Sequence, residues 1–136
     1  MLIGELSERT GASRRSIRHY EQQGLLTARR TSKGWREYDE QAVHRVLNVR
    51  ELLRAGLVVD DIRHVAPCLD MKTAEFLACD RPLAGSVEMY QRRLAQVDAQ
   101  AAELSRYRAE LAARLARLRA TTADTDDFAE SLRSNA

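Results

Sequence analysis

Hydrophobic residues near the start of the chain recur at the spacing of two short helices. Gly11 separates the two sets, and a glycine there supplies the positive φ that a helix C-terminus and a tight turn favour. Ser13 follows as a preferred helix N-cap. The pattern therefore predicts a helix–turn–helix. The inward positions that define it are Ile3, Leu6, Ile17 and Tyr20.

The polar face of the second predicted helix is strongly basic. Arg14, Arg15, Arg18 and His19 lie on the side opposite its apolar positions. In a helix-turn-helix the second helix enters the major groove of DNA, with its N-terminal residues nearest the base edges. Arg14 and Arg15 are thus the first candidates for base or phosphate contacts. The alternative is a solvated arginine face on an ordinary helical domain.

A basic hairpin, here called the wing, is predicted over residues 27–38. A polar stretch with Gly34 supplies the turn, and Trp35 and Tyr38 belong to the return strand. We expect Tyr38 to pack against the helices and Trp35 to be partly exposed. Cations around a hairpin tip suit contacts to phosphates, which position a protein on DNA without reading its sequence. The cations are Arg29, Arg30, Lys33 and Arg36.

Helical spacing continues beyond the wing. Asp39 is expected to cap a helix that ends near Gly56, and a further short helix is expected to break around Pro67. From residue 82 to 120 apolar residues then repeat every seven positions, in two series that begin at 83 and 87. Ten of the eleven positions are apolar or aromatic, and Arg108 is the exception. This repeat predicts a long helix with a coiled-coil seam, beginning with Pro82 in its first turn.

Such a seam needs a partner, and the open alternative is a lone helix folded back on its own head. The dimerisation residues predicted on it are Leu83, Val87, Tyr90, Leu94, Val97, Leu104, Leu111, Leu115 and Leu118. Residues 121–136 are rich in Thr, Asp, Ser and Ala. They are predicted to form an acidic, flexible tail with one helical turn at most, around Phe128 to Leu132.

Composition and charge agree with a globular protein of one or two domains. The chain has 136 residues, 44% hydrophobic and 31% charged, and no stretch that reads as a signal peptide or a membrane span. Residues 1–55 hold 11 Lys and Arg against 7 Asp and Glu, whereas residues 56–136 hold 11 against 13. A basic head on a slightly acidic body favours nucleic-acid binding by the head. A cytoplasmic location is expected.

Three segments in order carry a family resemblance. Residues 16–21 read SIRHYE, residues 24–26 read GLL and residues 34–38 read GWREY. This order and spacing resemble the MerR family of bacterial transcription regulators, closely over residues 1–70. His19 stands where the family usually has a first tyrosine, and Trp35 replaces the usual aromatic after the wing glycine; both keep a ring.

The resemblance implies a mainly α fold, with a winged helix-turn-helix head followed by a long antiparallel coiled-coil dimerisation helix. The implied domains are a head at 1–70, a hinge at 71–81, the dimerisation helix at 82–120 and the tail at 121–136. It also implies a homodimer on a palindromic promoter site, acting with RNA polymerase by distorting double-stranded promoter DNA. The DNA-binding residues expected from pattern and resemblance together are Arg14, Arg15, Ser16, Arg18, His19, Tyr20, Arg30, Lys33, Trp35, Arg36 and Tyr38.

The signal to which such a regulator would respond is left open. Metal- and redox-sensing relatives carry cysteines after the dimer helix, and this sequence has none there. Cys68 and Cys79, around the hinge, are candidates for a thiol or soft-metal sensor, because thiolates are the ligands that such metals select. Otherwise they are small packed residues. We favour an organic effector or none. Its expected pocket is lined by Val65, Leu69, Met71, Phe76, Leu77 and Tyr90.

No arrangement of residues indicates catalysis, and no cofactor or resident metal is expected. A nucleophile beside a base, a glycine-rich phosphate loop and metalloprotease spacing are all lacking in the sequence. The competing class is a non-enzymatic coiled-coil interaction protein whose basic head contacts a protein or RNA. Salt-dependent binding to duplex DNA with a preferred palindrome would separate that class from a regulator.

Overall fold

The computed structural model describes residues 1–134 and is mainly helical, as predicted. It has two compact units: Met1–Arg93, and the remainder of the last helix from Leu94 onward. In order, the elements are α1 (Ile3–Thr10), α2 (Arg14–Gln22), β1 (Arg29–Arg30), β2 (Arg36–Glu37), α3 (Glu40–Arg54), α4 (Val59–Ile62), a 3₁₀ helix (Arg63–Cys68), α5 (Thr73–Leu77) and α6 (Ser86–Ser134).

The turn between α1 and α2 is built as its sequence predicts. Gly11 has φ +73°, and its N–H donates to the Ser7 carbonyl oxygen at 2.9 Å. Ser13 then caps α2, because its Oγ accepts the Ser16 N–H at 3.0 Å. Leu6 and Ile17 of the two helices are both fully buried. The local signals and the apolar spacing therefore agree, and α2 is held with one face fixed inward.

The core of the first unit joins all of its helices. Asn48 of α3 is fully buried and donates through Nδ2 to the carbonyl oxygens of Leu69 and Met71, at 2.9 and 2.7 Å. These bonds fix the end of the 3₁₀ segment against α3, where a buried amide needs partners. Met89, in the first turn of α6, completes this core. Its fully or almost fully buried apolar members are Leu6, Ile17, Leu25, Val46, Val49, Ile62, Leu69 and Met89.

The long helix begins later than the sequence predicted. Pro82 and Leu83 precede α6, which starts at Ser86 because Gly85 adopts φ +79° and cannot belong to a right-handed helix. The Ser86 Oγ accepts the Leu83 N–H at 3.1 Å, which closes the turn before the helix. Leu83 is half-buried against the core rather than placed on the helix seam. The hinge, residues 71–81, also contains the short helix α5.

The prediction of a flexible tail with at most one helical turn is wrong for residues 121–134, which continue α6 without a break. Thr and Asp are poor helix formers, which is why the sequence argued against a helix here. In the structure, the threonine hydroxyl groups of this segment donate hydrogen bonds within the helix. Thr121, Thr122 and Thr125 each bond the carbonyl oxygen four residues earlier, at 2.9 to 3.0 Å. The last two positions of the predicted tail lie outside the described residues.

Candidate nucleic-acid interface

The outward face of α2 is exposed and cationic. Arg15, Arg18 and His19 are exposed there and Ser16 is half-buried, whereas Ile17 is turned into the core. The outward residues border an open depression of about 560 Å³ on the helix surface. The capped start of α2 therefore presents a basic face with several hydrogen-bond donors. The lining residues are Arg15, Ser16, Arg18, His19 and Gln22.

Arg14 differs from its neighbour Arg15 in where its guanidinium lies. A methyl group built on Gly4 of α1 would lie 2.8 Å from a terminal nitrogen of Arg14. The Arg14 guanidinium therefore lies over the start of α1. Arg14 is exposed but does not line the depression on α2. Of the two arginines that the sequence left as equal candidates, Arg15 has the more open position on the face of α2.

The wing is a minimal two-stranded hairpin. Arg29 faces Glu37 and Arg30 faces Arg36 in the antiparallel register. At the tip, Gly34 adopts φ +80°, and its N–H donates to the carbonyl oxygen of Thr31 at 2.8 Å. The tip therefore has a defined conformation despite strands of only two residues each.

The tip of the wing is held by its own side chains. Arg30 donates to the Gly34 carbonyl oxygen at 2.9 Å, and the Thr31 Oγ1 accepts the Trp35 N–H at 3.1 Å. Trp35 is 56% exposed, and the Lys33 ammonium lies 5.3 Å from its ring centroid. The exposure expected for Trp35 is thus confirmed, and a large aromatic ring stands beside cations at the surface.

Arg18 connects the face of α2 to the wing. It lines the first depression and also a second one, of about 310 Å³, that lies between the start of α1 and the wing. The two concave surfaces therefore share one cation and form a single basic interface. The residues around the second depression are Leu2, Ile3, Arg18, Arg30, Gly34, Trp35 and Arg36.

Glu21, which the sequence offered only as one letter of a motif, ties the wing to α2. Arg36 Nε lies 2.9 Å from a Glu21 carboxylate oxygen, and the Tyr38 hydroxyl donates to Glu21 at 3.2 Å. Burial and the adjacent Glu21 charge raise the pKa of Tyr38 to about 12. Tyr38 therefore keeps its proton at neutral pH and serves as a donor. These contacts of Glu21 with Arg36 and Tyr38 are here called the brace. The sequence signal that could have predicted it is a single acidic residue among the basic residues of the interface.

Two members of the predicted DNA-binding set are buried. Tyr20 and Tyr38 are only 6% and 2% exposed, so their rings pack in the core instead of facing a groove. Tyr20 shares the inward face of α2 with Ile17, as the helical period requires. Both tyrosines support the interface from behind. The packing expected for Tyr38 is confirmed.

The seam of α6 is exposed along the chain. Leu104 and Leu111 are 67% and 68% exposed, and they border an apolar depression of about 400 Å³ together with Arg108. Val87 and Tyr90, on the part of α6 within the first unit, are also exposed. The other exposed apolar residues of the seam are Leu94, Val97, Leu115 and Leu118.

Both cysteines are free thiols in the first unit. Cys68 ends the 3₁₀ helix and is buried, whereas Cys79 follows α5 and is exposed. Burial raises the pKa of the Cys68 thiol, and the charge and hydrogen bond of Cys79 raise it further. Among residues 1–134 no three His, Cys, Asp or Glu side chains are grouped to hold a metal ion.

The residues proposed for an organic-ligand pocket do not share one environment. Val65, Leu69 and Phe76 are packed in the core, whereas Leu77 and Tyr90 are exposed.

Among residues 1–134, no helix combines the length and apolar character needed to cross a bilayer.

Comparisons with known proteins place these features in a family. Residues 1–67 match the family model described as MerR HTH family regulatory protein. The HTH-type transcriptional regulator HmrR of Rhizobium leguminosarum bv. viciae is 31% identical over 111 residues, which cover 82% of this chain and 81% of HmrR. The nodulation protein NolA of Bradyrhizobium elkanii is 47% identical over 62 residues, which cover 45% of this chain but only 28% of NolA.

A solved structure is similar over the same length of chain. It is the transcription regulator PbrR691 from Ralstonia metallidurans CH34 in complex with lead(II), with 27% identity and a TM-score of 0.58 over 82% of each chain. The head matches a family model, and most of the chain matches a relative of similar length. The chain therefore belongs to the MerR family of helix-turn-helix transcriptional regulators.

Proposed function

We propose that this regulator binds double-stranded promoter DNA as a homodimer, with α2 in the major groove and the wing on the adjacent backbone. The observation that carries the proposal is the single basic interface that Arg18 makes continuous between α2 and the wing. A groove-reading helix and a phosphate-binding hairpin must act together to fix register on a duplex. Arg18 lies between α2 and the wing, which supports the proposal that the two elements bind DNA together.

Base reading is assigned to the first turn and outer face of α2. Arg15 is exposed and lines the helix depression, so it is the first candidate for a bidentate contact to a guanine. Ser16 and His19 border the same depression and are proposed to contact neighbouring base edges or phosphates. Arg14, whose guanidinium lies over Gly4, is proposed to contact the backbone.

Phosphate binding is assigned to the wing and Arg18. Arg30 and Lys33 are exposed, and Trp35 offers a flat ring that can lie against a sugar. Arg36 engages Glu21 through Nε, so part of its guanidinium serves the brace. These residues hold the head on DNA without distinguishing sequences.

The dimer is assigned to the seam of α6. Its leucines are more than half exposed in the single chain, except Leu115 at 47%, and such a stripe is stable in water only when another apolar surface covers it. The family resemblance implies that the cover is the same helix of a second subunit, running antiparallel. Two heads related by a twofold axis would read a palindromic site, and RNA polymerase would be the machinery that responds to its distortion.

The test is a DNA selection followed by affinity measurements on two single variants. Trp35 is the only tryptophan in the chain, so its fluorescence reports binding at the interface directly. Arg15→Ala should weaken binding to the selected site by about 1–3 kcal/mol per half-site and relax preference at one position. Lys33→Ala should weaken all sequences alike and reduce the salt slope by about one per subunit.

Lys33→Ala is also the matched control, because it removes one exposed cation without touching the face of α2. Arg36→Ala would be a poorer choice, since it also disturbs Glu21. A salt-independent interaction, or a selection that yields no preferred palindrome, would instead support the coiled-coil interaction protein. If Lys33→Ala changed base preference while Arg15→Ala did not, the two roles would be reversed.

A further inference from the structure

Three helices of the first unit end in the same way. The residue that follows α1, α2 and α3 is in each case a glycine with positive φ: Gly11 at +73°, Gly24 at +76° and Gly56 at +84°. Backbone N–H groups at these glycines, and just after the second and third, donate back to carbonyl oxygens of the last helical turn at 2.9 to 3.1 Å. Such an ending leaves the carbonyl group of the residue before the glycine without a partner in the helix.

A guanidinium from a later element donates to each of these carbonyl groups. The three donors belong to α3, the 3₁₀ helix and α6. A cation is also favoured beside the partial negative charge at a helix C-terminus, so each contact adds an electrostatic gain to a hydrogen bond. The donor and acceptor pairs are Arg50 with Thr10, Arg63 with Gln23, and Arg93 with Ala55.

The third pair joins α6 to the end of α3. Arg93 is half-buried, and its Nε donates to the Ala55 carbonyl oxygen at 2.7 Å. A methyl group built on Gly56 would overlap the Arg93 guanidinium, so that group lies directly against the glycine. The adjacent Arg92 is held less firmly. It is 63% exposed and lies 3.6 Å from Asp61 of α4, which makes it a weak surface ion pair.

Two further contacts fix the start of α6 on the rest of the first unit. A methyl group built on Gly85 would lie 2.6 Å from Nδ1 of His64, so the imidazole packs against the residue that precedes α6. Met89 is buried in the core. Arg93 lies one turn later, about 6 Å further along the helix axis. A helix held at one point can pivot about it, whereas successive contacts also fix its direction.

We propose that Arg93 is a positioning residue, which sets the separation of the two DNA half-sites by holding the start of α6 on the end of α3. This inference rests on the proposed function, since it requires two heads joined through α6. The helix continues without a break into the seam, so a looser start would let each head shift relative to its partner. One added base pair between half-sites moves a half-site by about 3.4 Å and by about a tenth of a turn. Only firmly held heads would discriminate between such spacings.

The anchor is tested first on the full chain without DNA, by hydrogen exchange of the amides of residues 89–93. Arg93→Met keeps an unbranched stem and removes the donor and the charge. Exchange there should become about tenfold faster, as expected for the loss of a hydrogen bond from a charged group. Arg93→Lys should restore most of the protection, because its ammonium can still donate to the Ala55 carbonyl oxygen. Unchanged exchange in Arg93→Met would overturn the proposal.

The matched control is Arg106→Met. Arg106 lies on the side of α6 opposite the seam and stacks on the ring of Tyr107, 5.0 Å from its centroid. This variant removes the same charge from the same helix, away from α3. It should leave exchange at residues 89–93 unchanged.

The role in DNA binding is tested on duplexes in which the selected half-sites are separated by one base pair more or fewer. Arg93→Met should lower the preference for the best spacing by about tenfold and leave affinity for a single half-site unchanged. Arg106→Met should alter neither, and Arg93→Lys should keep most of the preference. An equal loss on every spacing and on the single half-site would show a merely structural role and overturn the proposal. A wild-type protein with no preferred palindrome would refute the proposed function instead, while the exchange result still judges the anchor.

Two glycine variants test the same contact from the side of α3. Gly56→Ala and Gly24→Ala both place a side chain at positive φ, which strains the backbone. Only at Gly56 would the methyl group meet the Arg93 guanidinium, since nothing lies within 4 Å of one built on Gly24. Gly56→Ala should therefore broaden the spacing preference as Arg93→Met does, and Gly24→Ala should retain it. An unchanged preference in Gly56→Ala, or equal broadening in both variants, would overturn the role of Arg93.

Discussion

Leucine has opposite environments in the two units of this molecule. Leu6 and Leu69 of the first unit have no exposed surface, whereas Leu104 and Leu111 of α6 are 67% and 68% exposed. Burying such a side chain is worth about 1.5–3 kcal/mol. The first unit obtains that stabilisation from its own residues. In the single chain, the leucines of α6 beyond Arg93 stay exposed and do not contribute this stabilisation. The stability of this part of the helix should therefore depend on a second copy of the chain.

The largest effect should follow from charging the exposed seam. Leu104→Glu with Leu111→Glu places four carboxylates in the interface of a dimer, and the lost burial alone is roughly 6 kcal/mol or more. We expect a monomer in sedimentation at micromolar concentration, with loss of binding to a palindromic site. Attraction between Arg108 and the new carboxylates should be too weak to offset the lost burial and preserve the dimer.

A matched control exists on the opposite side of α6. Ala102 and Ala113 lie about half a helical turn from the seam positions, because the helix repeats every ~3.6 residues. Ala102→Glu with Ala113→Glu adds the same charge to the same helix. This control should remain dimeric, and a dimeric seam variant would refute the assignment.

The next largest effect concerns the buried core of the first unit. Leu6→Ala removes a fully buried side chain and should cost about 2–5 kcal/mol of unfolding free energy. The loss should appear at every protein concentration, since Leu6 is covered by its own chain. The seam variant should instead abolish the concentration dependence of the melting temperature. Denaturation at several concentrations measures both, and a Leu6→Ala defect that disappears at high concentration would contradict the distinction.

Some parts of the fold could be predicted from the sequence and others could not. The helix–turn–helix was predicted because Gly11, Ser13 and the apolar spacing all indicate one local structure, and the structure uses each as expected. The seam was predicted from its repeat alone. Residues 121–134 were not predicted as helix, because threonine and aspartate have low helix propensity, yet α6 continues through them.

The basic charge of the interface could be predicted from the sequence, but the contacts that hold the wing against α2 could not. Arg15 and Arg18 follow from helical spacing, but the brace at Glu21 depends on how the wing returns to α2, which no local pattern encodes. Tyr20 and Tyr38 were assigned to DNA because they belong to a recognisable motif. A motif marks residues that matter without separating those that contact a ligand from those that hold the contacting residues in position.

The smallest effect concerns this brace. Tyr38→Phe keeps the buried ring and removes only the hydroxyl, whose bond to Glu21 is 3.2 Å long, so the cost should be about 1 kcal/mol. Folding raises the pKa of Tyr38 from 10.0 to about 12, so the native state holds its proton more tightly than the unfolded chain. The stabilisation linked to that proton is complete below about pH 10 and is lost as the pH rises towards 12. The difference in unfolding free energy between the two proteins should therefore shrink from pH 10 upward, measured by denaturant titration at each pH. A difference that grows with pH, or a variant with weakened base preference and unchanged stability, would show that the Tyr38 hydroxyl acts on DNA instead of on Glu21.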